Sequence, residues 1–586
     1  MLYFVAVWTG LLAIFLTVGC SWLHWLQGGV IRRSGDRAIV SIWLGLIVMA
    51  ISLLGLAIFV PLSPLAAMAV AVPWLLLALK SQAVRAELSQ WAGGISSKLL
   101  LGYGLCSVAI AAFTSQPVTF IDTGQYHYGF IQWLSEYGVM PGLALINPQF
   151  GFVSAWFAIA APFDFAAFEG RVSPIMNGFI LLVAALQMAI ALKRIALRQA
   201  LLSDWFALTF LLAVCALLAR TLLLSDLTVS SSPDSAIALL TVAVAWSMLV
   251  VSQPNTTSAK EKLLSANLIP LVLSLGAVSI KLTALPLLAI TAGFYLFNGI
   301  GQKISLRGLL KRLIIVITLS LLLLLPFLAS EVLVSGCPLY PSTIGCLELP
   351  WTPSTAATQD LAEHTHGWGR WFDQPPGGRI NRSLWLLYQW FRRGPSNKLI
   401  TVLILASVCS IIYILRLLQS NKQSIGSLYS LFWLALLAII GTTFMMLKAP
   451  IFRFGMSYTL LLPVLSFSIL CGAWAQQEPS YWVTRHSLKP MRRVEHSLLF
   501  IGAFWAVALS SHAYDGVGDR LFLAPPMPTV ALKVQEFNQI TYFVSQDRRN
   551  RCWATNLPCV TTVRPDVRLR NPNAGLKEGF VLDRSP

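Results

Sequence analysis

Charged side chains stand at the edges of apolar segments at three places in this chain. Asp122 follows an apolar run that ends near Thr114, Lys281 lies between SLGAVSI and LTALPLLAI, and Arg453 opens the run FRFGMSYTLLLP. Charge at the edge of a bilayer is costly, so a functional role is the first hypothesis for each residue. The two cations have the chemistry to bind a lipid phosphate, and an arginine can do so bidentately. A snorkelling lysine and an interfacial arginine anchor are the alternatives.

Two more acids, Asp226 and Asp234, lie in the segment SDLTVSSSPDSAIALL. The two acids are predicted to lie in or next to a very short turn on the same face of the membrane as Asp122. Asp234 directly follows Pro233, so a helix N-cap is its structural alternative. Both acids are kept as candidates for substrate binding.

Polar and aromatic residues surround Asp122 in the stretch FIDTGQYHYGF. On a regular α-helix, Asp122 and His127 would lie about 140° apart, so they share a face only if the segment is irregular. His127 is a candidate for substrate binding, with an ordinary hydrogen-bonded interfacial histidine as the alternative. Tyr126 could stack on a sugar or anchor an amphipathic helix on the membrane. Glu136 is predicted to be a solvated loop acid.

The elements that must position these residues follow from the composition. The 586 residues are 56% hydrophobic and only 11% charged, with a mean hydropathy of +0.71. Such a chain is too apolar for a water-soluble globule. We predict an all-α polytopic membrane protein with about 14 transmembrane helices, at least 12, of roughly 17 to 25 residues each. These are placed near 3–25, 38–61, 64–80, 98–114, 173–192, 203–223, 233–252, 265–280, 282–299, 309–330, 398–418, 426–447, 454–474 and 497–513.

The net charge of +18 is concentrated in alternate connections between these spans. Half of the 42 Lys and Arg lie in seven of them, with only six of the 24 acids in or beside them: 26–37, 80–98, 193–202, 253–264, 299–312, 416–425 and 476–496. Basic connections remain in the cytoplasm, so they mark the inner face of a bacterial inner membrane. The charge is therefore attributed to topology, and no nucleic-acid partner is expected.

In this topology both termini and three long segments lie outside the cytoplasm. Residues 1–513 form one membrane domain with large exterior loops at 115–172 and 331–397, and 514–586 form a small C-terminal appendage. The start MLYFVAVWTG has no basic residue, so we expect a retained helix and not a cleaved signal peptide.

Four of the nine cysteines lie in the predicted exterior segments. Cys337 and Cys346 occur in SGCPLYPSTIGC, and Cys552 and Cys559 occur in CWATNLPC. An oxidising compartment would allow each pair to form a disulfide that closes a short loop. Free thiols are the alternative, and zinc is disfavoured because neither pair has the usual ligand spacing.

Several functional classes are excluded by missing motifs. The chain has no GxxxxGK[ST] loop, no dinucleotide fingerprint and no cytoplasmic segment large enough for a nucleotide domain. ATP-driven transport by this chain alone is therefore not expected. HExxH and GxSxG are also missing. An enzyme of this kind would act at the outer edge of the bilayer.

The order of the motifs resembles that of the GT-C superfamily of integral-membrane glycosyltransferases. An acidic first exterior loop is followed by SPDSAIALL, SIKLTALPLL and APIFRFGMSYTLLLP. More narrowly, the segments DTGQYHYGFIQWLSEYGVMPGLALINPQFGF, SGCPLYPSTIGC and CWATNLPC resemble those of a group of bacterial membrane proteins placed near that superfamily. The resemblance implies a GT-C-like arrangement of helices.

The same resemblance implies transfer of a sugar, with inversion, from a polyprenyl-phosphate donor to a glycan, lipid or protein acceptor on the outer face of the membrane. Asp122 matches the acidic position in the family's first exterior loop, which serves as general base or helps to orient the acceptor and any metal. Asp226 or Asp234 matches the family's second acidic site. Lys281 and Arg453 would bind the donor phosphate. Thr123 stands where a second carboxylate often follows in the family, so a divalent cation is only an optional cofactor here.

Two other functional classes remain open at this stage. An O-antigen polymerase or ligase would use Arg and His, and loop 331–397 contains Arg370, Arg379, Arg382, His364 and His366. A secondary transporter would cluster its charges near the midplane and show an inverted repeat. A scaffold in envelope assembly is the non-catalytic alternative.

Overall fold

The computed structural model describes residues 1–583, apart from 165–167, 169, 221–225, 254–262, 298–304, 371–381, 393, 421–424, 478–515 and 517. The last predicted span, 497–513, lies outside the described residues, as does Arg379. The side chains of Arg370 and Arg382 are likewise outside the description.

Helices make up most of the described chain. They are α1 (Leu2–Trp25), α2 (Ser34–Ala57), α3 (Pro64–Lys80), α4 (Gln82–Gly93), α5 (Ser97–Thr114), α6 (Tyr128–Glu136), α7 (Leu143–Ile146), α8 (Ala155–Ala160), α9 (Ile175–Ala196), α10 (Leu202–Arg220), α11 (Pro233–Val251), α12 (Ile269–Ile280), α13 (Leu285–Leu296), α14 (Leu306–Ser335), α15 (Thr355–Arg370), α16 (Arg382–Arg392), α17 (Pro395–Ser420), α18 (Ile425–Lys448) and α19 (Phe452–Gln477).

Ten of the described helices are long and apolar enough to cross a membrane. Helices α3 and α4 together could supply one more span, although a bend of 96° separates them. Two shorter apolar helices, Ala266–Ile280 and Leu282–Leu296, occupy the predicted spans on either side of Lys281. The prediction of a helical, multi-pass membrane protein is confirmed, whereas the number of spans stays a prediction.

The helices differ in how much of their surface the protein covers. Every residue of α11 is buried, and α2 and α9 are buried along most of their length. By contrast, large apolar side chains of α3, α5 and α14 are exposed, as expected for helices that face lipid. The apolar piece 151–161, which was a candidate for the membrane interface, contains α8 and is buried within the protein.

Helices α1 and α2 cross at very short distance because of two glycines. A Cβ on Gly19 would lie 1.7 Å from the carbonyl oxygen of Ser41, and one on Gly45 would lie 2.0 Å from that of Phe15. Small residues at such crossings let two backbones approach in a membrane. Helix α2 also packs against α8, which belongs to the loop 115–172 that carries Asp122.

Four ionic side chains form what we call the closed ring, at the end of the bundle predicted to be cytoplasmic. Arg33 donates to Asp36 at 2.7 Å and to Asp204 at 2.6 Å, and Arg194 donates to the same two acids at 2.6 and 2.8 Å. All four carboxylate oxygens therefore accept a charged hydrogen bond. The ring joins the start of α2, the end of α9 and the start of α10.

The C-terminal segment, residues 518–583, contains the strands of the described chain. β1 (Leu532–Phe537) and β2 (Ile540–Ser545) form an antiparallel hairpin, β3 (Cys559–Val560) pairs in parallel with β2, and β4 (Val567–Leu569) pairs with β5 (Phe580–Leu582). We call this segment the tail. As the sequence predicts, Cys337 is joined to Cys346 and Cys552 to Cys559.

Candidate functional site

Asp122 lies at the start of an irregular helical turn. Residues Thr123–His127 form a π-helix in which Tyr128 N–H donates to the carbonyl of Thr123, five residues earlier. Such turns are rare and occur often at functional sites. The 140° separation expected between Asp122 and His127 assumed a regular α-helix, so it does not apply to this segment.

Asp234 lies in the first turn of α11, and its N-cap interpretation is wrong. The cap is Ser232, whose Oγ accepts a hydrogen bond from Asp234 N at 3.3 Å, and Pro233 occupies the first helical turn. Serine at the cap and proline just inside the helix are the arrangement that helix termini favour. The carboxylate of Asp234 is thereby left free to pair with cations.

Lys281 lies at the tip of a hairpin formed by the two short helices. The hydroxyl of Tyr295, at the end of α13, donates to the carbonyl of Leu263, just before the first arm, at 2.7 Å. The two helix ends that are distant from Lys281 are therefore adjacent. Lys281 itself lies in the connection between the two short helices and has an extended backbone conformation. Its Nζ contacts the carboxylate of Asp234 and lies 4.0 Å from the ring centroid of Phe454. Lys281 therefore forms an ion pair within the protein, which argues against the alternative of a snorkelling lysine.

Arg453, near the start of α19, joins the two acids. Its Nη2 donates to Asp122 Oδ2 at 2.9 Å, and its Nε lies 3.5 Å from Asp234 Oδ2. The guanidinium lies between the rings of Phe120 and Phe454, with 5.2 and 4.9 Å from Cζ to the centroids. Contacts of this kind stabilise a cation that has lost water. The structure thus contradicts the interpretation of Arg453 as a simple interfacial anchor.

These contacts form what we call the ionic chain: Asp122, Arg453, Asp234 and Lys281. The four residues come from four separate parts of the sequence, and the structure brings all of them together. The side chains at its two ends are the more exposed, 21% for Asp122 and 24% for Lys281, against 13% for Arg453 and 4% for Asp234. The chain therefore presents one carboxylate and one ammonium to a ligand.

Asp226 is not part of the ionic chain. Its Oδ1 accepts a hydrogen bond from Thr119 Oγ1 at 2.9 Å, which ties it to the segment just before Asp122. Of the two candidates for a second acidic site, Asp234 is therefore the one that contacts the cations.

His127 is buried in aromatic surroundings beside the ionic chain. Its ring lies 4.3 Å from that of Tyr126 and 5.3 Å from that of Phe157, and Nδ1 has no hydrogen-bond partner among the described residues. Burial lowers the pKa of His127 well below its ordinary value, and the nearby Lys281 and Arg453 lower it further against the effect of Asp234. This buried ring, with Nδ1 unbonded among the described residues, differs from the ordinary hydrogen-bonded interfacial histidine of the alternative.

Tyr126 also packs inside the protein, which disfavours its role as a membrane anchor. Its ring lies 6.1 Å from that of Phe152 as well as against His127. Burial raises the pKa of the Tyr126 phenol well above its ordinary value, and the charge of Asp122 adds to this effect. The phenol therefore stays protonated at neutral pH.

The sequence alone did not identify the residue that holds the turn before Asp234. Asn177, in α9, donates from Nδ2 to the carbonyls of Leu227, Ser230 and Ser232 at 2.7, 2.8 and 3.0 Å. Its Oδ1 accepts from Trp156 Nε1 at 3.1 Å. A buried amide with all these partners fixes the backbone of the turn. The only signal in the sequence was an asparagine inside an apolar helix.

A divalent cation does not fit the ionic chain. Calcium and magnesium take several oxygen ligands, but both oxygens of Asp234 and one oxygen of Asp122 already face Arg453 or Lys281. The one group of three metal-type side chains in the described part of the chain is Cys20, His24 and Glu87. That group is separate from the ionic chain, and Arg37 Nη2 already donates a hydrogen bond to Glu87 Oε2 at 2.6 Å.

The histidines of loop 331–397 lie apart from these contacts. His366 Nε2 is 3.2 Å from the carbonyl oxygen of Leu447, at the end of α18, and His364 is exposed. This placement brings no described histidine of the loop into the ionic chain.

Comparison with models of protein families shows the family to which the chain is similar. The model of a domain of unknown function, DUF8201, matches residues 1–460, a range that contains all four residues of the ionic chain. No curated protein and no solved structure matches the chain.

Proposed function

We propose that this chain, which belongs to the DUF8201 family, is a membrane glycosyltransferase of GT-C type. It would transfer a sugar from a polyprenyl-phosphate donor to a glycan, lipid or protein acceptor at the outer face of a bacterial inner membrane. The observation that carries the proposal is the open ionic chain, which presents a carboxylate at one end and an ammonium at the other.

The carboxylate of Asp122 suits the acceptor. An acceptor hydroxyl is a weak nucleophile until a base takes its proton. One oxygen of Asp122 is bonded to Arg453, whereas Oδ1 has no cationic partner among the described residues, so it can receive that proton. The bond to Arg453 meanwhile fixes the orientation of the carboxylate.

The cations suit the leaving group. As the acceptor oxygen bonds to the anomeric carbon, the bond from that carbon to the phosphate oxygen breaks and the phosphate takes the electron pair. Lys281 and Arg453 each contact one carboxylate oxygen of Asp234, and both would stabilise this charge. A single displacement of this kind inverts the anomeric configuration, so an inverting transferase is proposed.

Asp234 has a different role in this scheme. It is buried and contacts both cations, so it holds them next to one another in the absence of substrate. Without this carboxylate, two like charges would face each other in a partly buried site. Asp234 is therefore proposed to be a positioning residue and not the base.

The experiment uses the purified full-length protein in nanodiscs. Radiolabelled polyprenyl-phosphate glucose, mannose and galactose are offered with an extract of bacterial envelope lipids and glycans, and transfer of label is measured. We expect a labelled product with at least one donor, and none with Asp122→Asn. Equal transfer by Asp122→Asn would overturn the role of the acid. Solute uptake by proteoliposomes with no glycosyl product from any donor would favour a transporter.

A further inference from the structure

The tail contacts the loop that carries Asp122. Cys552 N and Trp553 N both donate to the carbonyl of Gly124, at 2.7 and 3.1 Å. Gln125 Nε2 donates to the carbonyl of Arg549 at 2.8 Å. Three hydrogen bonds therefore join residues 549–553 to the two positions that follow closely on Asp122.

The ring of Trp553 covers Gly124. A Cβ on Gly124 would lie 2.8 Å from Cδ2 of Trp553 and 2.9 Å from Cε2, so only glycine allows this approach. The ring is 2% exposed and forms a separate apolar cluster with Val118, Tyr128 and Met527. This cluster includes residues from both ends of the turn, since Val118 precedes Asp122 and Tyr128 follows the π-helix.

The backbone of Trp553 is held in an unfavourable region. Its φ of 51° lies in the left-handed region, which bulky residues rarely adopt. Such a conformation persists only where surrounding contacts fix it, and it occurs often at functional positions. Here the N–H and the ring of Trp553 are both directed at Gly124.

The Cys552–Cys559 disulfide connects these contacts to the rest of the tail. Cys559 lies in β3, which pairs with β2, so the disulfide joins the Trp553 loop to the sheet. The tail is bonded in turn to the membrane domain at other points: Phe580 N donates to the carbonyl of Pro141 at 2.9 Å, and Leu2 N to that of Leu521 at 2.8 Å. The tail is therefore fixed on both sides of the Trp553 loop.

We propose that residues 549–559 are a clamp that positions Asp122, with Trp553 as the positioning residue and the Cys552–Cys559 disulfide as a condition for its action. The consequence for catalysis rests on the proposed function, whereas the positioning itself does not. Within the described part of the chain Asp122 has a single ion pair, to Arg453, so its place depends on the backbone of the π-helix. A displacement of about 1 Å in such a group costs roughly 100-fold in rate.

Hydrogen exchange tests the positioning without an assay of activity. The full chain in nanodiscs is compared with Trp553→Ala, Trp553→Phe, Gly124→Ala and Cys552→Ser/Cys559→Ser, and amide exchange is read in peptides covering 118–130. We expect exchange about tenfold faster or more in all variants except Trp553→Phe, which keeps a flat ring. Exchange in α11 should not change.

Matched controls separate a local effect from general loosening. Cys337→Ser/Cys346→Ser removes the other exterior disulfide, and Val534→Ser changes an exposed position of β1; both should leave exchange at 118–130 unchanged. If Trp553→Ala fails to fold, reduction of the folded wild type with a phosphine reproduces the effect, and the Cys337→Ser/Cys346→Ser protein should respond to it equally. Unchanged exchange on reduction and in Gly124→Ala would overturn the clamp.

A second readout applies where transfer is measured. The clamp variants should lower kcat about 10- to 100-fold with little change in KM for the donor, because they move the base and leave the cations in place. Faster exchange in a protein whose wild type transfers no sugar would leave the clamp intact and refute the proposed function alone. Normal exchange in an active enzyme would refute the clamp alone.

Discussion

The closed ring and the ionic chain contain the same charges in different arrangements. Each has two acids and two cations, which come from the ends of three helices in the closed ring and from four separate parts of the sequence in the ionic chain. In the closed ring all four carboxylate oxygens are bonded, and the side chains of Asp36 and Asp204 are only 3% and 2% exposed. In the ionic chain the outer residues, Asp122 and Lys281, are about a fifth to a quarter exposed.

This difference separates an arrangement that holds helices from one that can bind a substrate. A ring has no end at which a ligand could bind without breaking an ion pair. An open chain has two such ends, while its buried members, Arg453 and Asp234, keep the ends at a fixed distance. We therefore expect changes in the ring to affect stability and changes at the ends of the chain to affect activity.

The largest effect is expected from Asp122→Asn. The amide cannot take a proton, so transfer should fall by about 10²- to 10⁴-fold, the usual contribution of a general base. Because Asp122 is partly exposed, the melting temperature in detergent should hardly change. Both quantities are measured on the same preparation. Glu136→Gln, which changes an exposed acid of the same loop, is the control and should keep full activity.

An equal loss of stability and activity in Asp122→Asn would contradict the comparison, because the acid would then hold the fold as the ring does. A variant that stays folded and active would instead remove the carboxylate from the mechanism.

The next effect is the loss of stability in Asp204→Asn. This change leaves Arg33 and Arg194 short of a partner in a buried site, which typically costs about 3–5 kcal/mol of unfolding free energy. Titration with SDS measures that free energy. Asp566→Asn is the control, because its partner Arg564 lies at the surface and such pairs contribute little.

If both variants unfold alike, the ring has no special role in stability. If Asp204→Asn is stable but alters transfer, the two clusters are coupled through α9 and α10.

A smaller effect is expected from Lys281→Gln. Removing the ammonium should raise KM for the polyprenyl-phosphate donor by about 10- to 100-fold, the range for a hydrogen bond to a charged group. Lys448→Gln, at an exposed position near the end of α18, is the control. An unchanged KM in Lys281→Gln would mean that Lys281 only neutralises Asp234.

Much of the fold was visible in the sequence because hydrophobic runs have the length of the bilayer. The segment marked as 64–80 is a helix over Pro64–Lys80, and the two spans around Lys281 correspond to two short helices. The sequence could not indicate that these short helices form a hairpin in which the ends distant from Lys281 touch, because this contact depends on how the helices pack side by side. The docking of the tail was also hidden, because Gly124 and Trp553 are more than 400 residues apart.

The sequence was sufficient to pick out the residues of the site, but it could not show the contacts between them. Charges are so scarce in apolar segments that Asp122, Asp234, Lys281 and Arg453 stood out. Nothing in their spacing indicated that Arg453 would join both acids, or that Asn177 would hold the turn before Asp234. The π-helix was hidden as well, and Gly124 within it accepts hydrogen bonds from Cys552 and Trp553, far away in the sequence.

The smallest effect is expected from salt, which should weaken the ionic chain more than the closed ring. Raising NaCl from 0.1 to 1 M shortens the Debye length from about 10 to about 3 Å, which weakens attraction between exposed charges far more than between buried ones. KM for the donor should therefore rise roughly two- to fivefold, because the contact loses under about 1 kcal/mol of binding free energy when the salt concentration is raised. The unfolding free energy should change less, because the two acids of the ring, Asp36 and Asp204, are only 3% and 2% exposed. A fall in stability without a change in KM would reverse the assignment of the two clusters. The charges that salt weakens would then be those of the ring, and the charges protected from salt would be those of the ionic chain.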